Sequence, residues 1–159
     1  MSTPGLSRTG TVSRTTAATL AIPRAPTRIL VVDDDPVTGQ LLLAIGLREG
    51  YQVVSVTDGR QAFRMLKSDA DFAAAVFNMT MPNLEGVDLV RYMKTEKRLM
   101  RIPIVIVAGD HGLKLIADSF AAGALAFLPK PFTTEKLART LRLAISSRVI
   151  RTTQLQAGI

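Results

Sequence analysis

The sequence predicts an α/β fold: a doubly wound parallel sheet of five strands, each followed by a helix, a (βα)5 arrangement in three layers. Three observations predict it. From Arg28 onward, short apolar runs recur every 20 to 30 residues. Each is followed by a longer segment with apolar residues at helical spacing, the signature of repeated βα units. Most of the runs are apolar throughout, as strands covered on both faces must be.

The predicted strands are residues 29–32, 52–56, 73–77, 104–107 and 125–128. After the first, Val37, Leu41, Ala44 and Ile45 share one helical face, and Gly50 stands where a left-handed C-cap would end that helix. Ala62, Phe63 and Leu66 mark a second helix, and Val87, Val90 and Met93 a third. Leu115, Ile116, Ser119 and Phe120 mark a fourth; Leu137, Leu141, Ala144 and Ile145 mark a fifth. Right-handed crossovers then place the functional crevice at the carboxyl ends of the strands.

A chain of 159 residues supports one sizeable core. Residues 1–27, rich in Ser, Thr, Pro and Gly and without periodicity, read as a flexible basic leader; a transit peptide is the alternative their composition allows. Residues 28–149 form the folded domain and 150–159 a C-terminal tail. With no cysteine the chain has no disulfide, thiolate metal site or cysteine nucleophile, and a reducing cytoplasm is the expected compartment. Its apolar runs fall well short of the roughly 18 residues a membrane helix needs. The net charge of +7 does not mark a nucleic-acid protein, because Arg8, Arg14, Arg24 and Arg28 stand in an acid-free stretch of 28 residues. The remainder carries sixteen basic residues against thirteen acidic ones, spread without a dense run, so no specific nucleic-acid binding is expected.

The chemistry gathers at the predicted strand ends. Asp33-Asp34-Asp35-Pro36 follows the first strand. Asp35 suits an N-cap and Pro36 the first helical position. Asp33 and Asp34 are left as adjacent carboxylates that repel one another unless a cation relieves them, either a hard divalent metal or a lysine. Lys130-Pro131-Phe132 follows the fifth strand and supplies such a lysine, with a proline able to adopt a cis turn. Asn78-Met79-Thr80-Met81-Pro82 with Gly86 follows the third strand, and Ala108-Gly109-Asp110 the fourth.

Residues 27–149 resemble the receiver domain of two-component response regulators, the single-domain chemotaxis receivers among them. The resemblance rests on Ile29 to Asp34, Met81-Pro82 with Gly86, Gly123-Ala124, and Lys130-Pro131-Phe132. It implies the flavodoxin-like receiver fold. It also implies a switch in which an aspartate ending the third strand takes a phosphoryl group from a histidine kinase. In that scheme Mg²⁺ sits on the acidic pair, while a Thr or Ser and an aromatic report the phosphoryl group. Asp33, Asp34 and Lys130 match the metal pair and the active-site lysine, and Phe127 matches the aromatic.

Two positions depart from that pattern. Asn78 occupies the phosphoacceptor position, and an amide lacks the anionic oxygen that would attack phosphorus. Ala108 occupies the Thr/Ser position and has no hydroxyl. The resemblance therefore implies a degenerate receiver whose Mg²⁺ set is reduced to Asp33, Asp34, the Asn78 amide oxygen and the Thr80 backbone carbonyl, and so is weakened. Lys130 is then free to pair with Asp33 or Asp34, and Asn78 to bridge them, locking the site.

The expected function is phosphorylation-independent binding of a signalling protein or histidine kinase, without enzymatic activity, by a monomer or weak homodimer. The expected partner surface carries Leu115, Phe120, Phe127 and Arg139. One alternative is a kinase-docking decoy in a phosphorelay, engaged through the first helix at Leu41 and Leu42. A remote one is a haloacid-dehalogenase-like phosphatase using Asp33 and Asp35. Against the latter, Ala108 lacks the hydroxyl that chemistry needs, Pro36 leaves no room for a flap, and Asp110 and Asp118 are too far apart in sequence. His111 reads as an exposed or capping residue. Arg139, Arg142, Arg148 and Arg151 read as a solvated face that favours the end of the fifth helix.

Overall fold

The structure is a computed structural model, which describes residues 25–110 and 112–157. The leader lies outside them except for its last three residues, and so does His111. The chain forms β1 (Thr27–Val32), α1 (Pro36–Glu49), β2 (Tyr51–Val56), α2 (Gly59–Ser68), β3 (Ala74–Asn78) and α3 (Gly86–Thr95). It continues as β4 (Ile104–Ala108), α4 (Leu113–Ala122), β5 (Ala126–Pro129) and α5 (Thr134–Ala157). All strand pairs are parallel, in the order β2-β1-β3-β4-β5, so the (βα)5 doubly wound sheet expected from the sequence is present.

Alternation along each strand sends its side chains to two cores. Leu30, Val32, Ala75, Phe77, Ile104 and Ile106 meet Ala62, Leu66, Val90 and Met93 on the side of α2, α3 and α4. Ile29, Val31, Val76, Val105 and Val107 meet Leu42, Ile45, Leu137, Leu141 and Ala144 on the side of α1 and α5. Because both faces are covered, β1, β3 and β4 had to be continuous apolar runs. Each buried Leu, Ile, Val or Phe contributes about 1.5–3 kcal/mol through removal from water.

The helix ends follow local chemistry. Asp35 caps α1 by accepting from the Val37 amide at 3.0 Å, with Pro36 in the first turn. Gly50 ends α1 at φ 82°, in the left-handed region. The face that α1 buries differs from the one its spacing predicts. Thr38, Gly39, Leu42, Ile45 and Gly46 are buried, whereas Val37 is 54% exposed and Ala44 also faces solvent. The cause is close approach to β2: a Cβ on Gly46 would lie 2.9 Å from the Tyr51 carbonyl oxygen, so the glycines turn inward and leucines are left outside. α5 continues to Ala157, so residues 150–157 are helical.

Two ion pairs fasten α1 to α5: Arg48 with Glu135 at 2.8 Å and Arg142 with Glu49 at 3.9 Å. The Arg148 guanidinium donates to the Phe72 carbonyl. Much of the basic series on α5 is thus structural, while Arg139 is exposed. The Arg151 side chain lies outside the described residues.

Candidate functional site at the carboxyl edge of the sheet

The ends of β1, β3, β4 and β5 converge on one edge. Asp33 continues β1, its amide donating to the Val56 carbonyl at 3.1 Å. Its side chain is buried, at 1% exposure, and both carboxylate oxygens are engaged. Oδ1 accepts from the Asp35 amide at 2.9 Å and Oδ2 from Lys130 Nζ at 2.8 Å. Lys130 is held by its own backbone, whose amide donates to the Ala108 carbonyl at 2.8 Å, and the peptide bond to Pro131 is cis. A buried carboxylate without a partner is costly, so this lysine balances the Asp33 charge. Asp35 lies 4.0 Å from the same ammonium.

Asn78 ends β3. Its Nδ2 donates to Asp34 Oδ1 at 3.1 Å and to the Thr80 carbonyl at 2.9 Å. The amide therefore reaches only one of the two carboxylates; the expected bridge between Asp33 and Asp34 is not made, because Lys130 and the Asp35 amide already satisfy Asp33. Gly86 packs behind the residue, where a Cβ would come within 2.3 Å of the Asn78 carbonyl oxygen. Ala108, 4% exposed, closes the pocket without a hydroxyl. Phe127 is half-buried and packs against the core on the α2–α4 side.

Oxygen donors of the right kind for a hard cation are present: two carboxylates, an amide oxygen and a backbone carbonyl. Asp33 is committed to an ammonium, and the Asn78 NH₂ group occupies both the Asp34 oxygen and the Thr80 carbonyl. Among the described residues no cluster of three or more acidic or histidine side chains is arranged to hold a metal ion.

Beside the pocket, α1 and the loop after β5 enclose a groove of about 350 Å³ lined by Asp35, Val37, Leu41, Lys130, Pro131 and Phe132. Leu41 lines it; Leu42 is fully buried and cannot meet a partner, contrary to its expected part in docking. On the expected partner surface, Phe120 is 47% exposed, Arg139 is exposed and Leu115 is half-buried against the core. Leu113 and Leu143, not singled out by the sequence pattern, are 87% and 66% exposed. Leu143 stands one helical turn beyond Arg139, a spacing that could have revealed it.

An acidic pair and a lysine at the carboxyl edge of a flavodoxin-like (βα)5 sheet define a signalling receiver. The family profile for the response regulator receiver domain matches residues 29–142, and the chain belongs to that family. It is 27% identical over 121 residues to the chemotaxis protein CheY1 of Helicobacter pylori, covering 76% of this chain and 98% of that one. It is 28% identical over 140 residues to the two-component response regulator ORR11 of rice, Oryza sativa, covering 87% and 95%. Among solved structures, the receiver domain of a sensor histidine kinase from Pseudomonas aeruginosa, with magnesium coordinated in its active-site cleft, superposes with a TM-score of 0.69 at 29% identity. That match covers 77% of this chain and 99% of the other. Among the described residues, no helix is long and apolar enough to cross a membrane.

Proposed function

We propose that this receiver signals by binding partner proteins and does not accept a phosphoryl group. The observation that carries the reading is the double hydrogen bond of the Asn78 amide to Asp34 and to the Thr80 carbonyl. An amide offers no nucleophilic carboxylate, so no aspartyl phosphate forms at this position. Ala108 would have no hydroxyl to meet a phosphoryl oxygen. Lys130 and Asn78 hold the acidic pair in one arrangement, and Mg²⁺, which would neutralise anionic oxygens if bound, is held more weakly than by three carboxylates.

Asp33, Asp34 and Lys130 thus act as an internal electrostatic frame, and the work falls to the surface, in a signalling module that is not an enzyme. The partner face carries Phe120, Phe127 and Arg139, with Leu115 supporting them from beneath. The partner is a signalling protein or a histidine kinase, met in the cytoplasm by a monomer or weak homodimer. Incubation with a small acyl phosphate and Mg²⁺ tests the reading: the intact mass of the native chain stays unchanged.

One observation favours a second reading, a kinase-docking decoy. The groove between α1 and the loop after β5 is apolar at Val37, Leu41 and Phe132 and opens beside Lys130. A helical phosphotransfer partner seated there would bind without transferring its phosphoryl group. Leu41→Lys abolishing such binding, with no phosphotransfer in either chain, would support it.

A further inference from the structure

We propose that Asp58 and Asn83 are a clip that positions the pocket: together they fix the β3–α3 loop and, through it, the carbonyl to which the Asn78 amide is bound. The inference rests on reading the Asn78 pocket as a fixed frame that takes no phosphoryl group. Asp58 caps α2, with Oδ1 accepting from the Arg60 amide at 2.7 Å. Its other oxygen, Oδ2, accepts from Asn83 Nδ2 at 3.0 Å, across to the loop that follows β3. One carboxylate therefore starts a helix and holds a neighbouring loop.

The loop needs holding. Asn83 has φ 71°, in the left-handed region, and the Leu84 amide donates to the Pro82 carbonyl at 2.8 Å. That bond closes a three-residue turn around a positive-φ residue, a rare and strained form. Such strain persists where surrounding structure over-determines it, and it gathers at functional loops. Here the surroundings are identifiable. A Cβ on Gly59 would lie 2.2 Å from the Leu84 carbonyl oxygen, so the loop is pressed directly onto the first turn of α2. At its far end the Gly86 amide donates to the Met79 carbonyl at 3.0 Å. Thr80, whose carbonyl takes the Asn78 amide, lies in the same loop, between Met79 and Asn83. The Asn78 amide is thus held from two sides, by Asp34 and, through the Thr80 carbonyl, by the β3–α3 loop.

Amide hydrogen exchange and side-chain amide NMR on the full native chain, without phosphodonor or metal, test this. Their outcome is therefore independent of whether Asn78 blocks phosphorylation. Asn83→Gly keeps the positive φ and removes only the side-chain bond. It is expected to speed exchange of the Gly86 amide about two- to ten-fold, the range one such bond supports. It should also move the Asn78 side-chain NH₂ signals towards those of a free amide. The Met79 amide, bound to the Val107 carbonyl within the sheet, should be unaffected. Asp58→Ala should reproduce the change at Gly86 and Asn78, although it also removes the α2 cap, and the double variant should add nothing further at Gly86. Unchanged Asn78 signals in Asn83→Gly would overturn the proposal, as would additive effects of the two substitutions at Gly86.

Discussion

Lys130 Nζ meets Asp33 Oδ2 at 2.8 Å, joining the two ends of the domain across the carboxyl edge of the sheet. The carboxylate is 1% exposed and the lysine side chain 19%. Removal of one partner leaves a buried charge unbalanced, so Lys130→Met should destabilise the fold by about 3 kcal/mol, the low end for such pairs because the lysine keeps some water. Asp33→Asn combined with Lys130→Met should cost less than the sum of the two single changes. Urea unfolding of the four chains of this cycle measures the coupling.

The pair between Arg28 and Asp69, at 2.9 Å, predicts a pH dependence. The hydrogen bond from the Arg28 guanidinium holds the Asp69 carboxyl below the ordinary aspartate range, against a smaller opposing effect of burial. A carboxyl depressed in the folded state stabilises above its unfolded pKa of about 3.9 and loses that contribution as pH falls through its lower folded value. The stability difference between native and Asp69→Asn chains should be constant at neutral pH and vanish in strong acid. Both side chains are partly exposed, so it stays at or below about 1 kcal/mol. Denaturant midpoints between neutral pH and pH ~2 check the sign.

Neighbouring leucines on α1 should separate stability from binding. Leu42 is fully buried, and Leu42→Ala should cost about 2–5 kcal/mol. Leu47 is 90% exposed, and Leu47→Lys should stay within about 0.5 kcal/mol. Leu41→Lys should fall nearer the second value while altering the groove. Thermal unfolding of the three variants distinguishes these outcomes.

The Asn78 amide should also limit cation affinity. Asn78→Asp replaces an NH₂ donor facing Asp34 with a third carboxylate, and Mg²⁺ binding should tighten about ten-fold or more, since charge count sets affinity for hard cations. Calorimetric titration of the native and substituted chains with Mg²⁺ alone measures this. Equal affinities would show that Lys130, not Asn78, governs the site.

The sequence made the sheet legible because β1, β3 and β4 are covered on both faces and their composition follows directly from that burial. The burial of α1 was not legible: its apolar residues encircle the helix, and the face was chosen by Gly39 and Gly46, whose role is visible only against β2. Similarly, Asp33, Asn78 and Lys130 could be placed at strand ends from local pattern alone. That the lysine pairs with Asp33, whose other oxygen takes the Asp35 amide, is visible only in three dimensions. Asn83 and Asp58 stood 25 residues apart on different loops, and nothing in either local sequence linked them.

Intact mass after incubation with a small acyl phosphate and Mg²⁺ shows whether Asn78 is what separates this receiver from phosphoryl chemistry. Three chains are compared: native, Asn78→Asp, and Asn78→Asp with Ala108→Thr. A single phosphoryl adduct is expected on both substituted chains and none on the native one. An adduct on the native chain would overturn this reading.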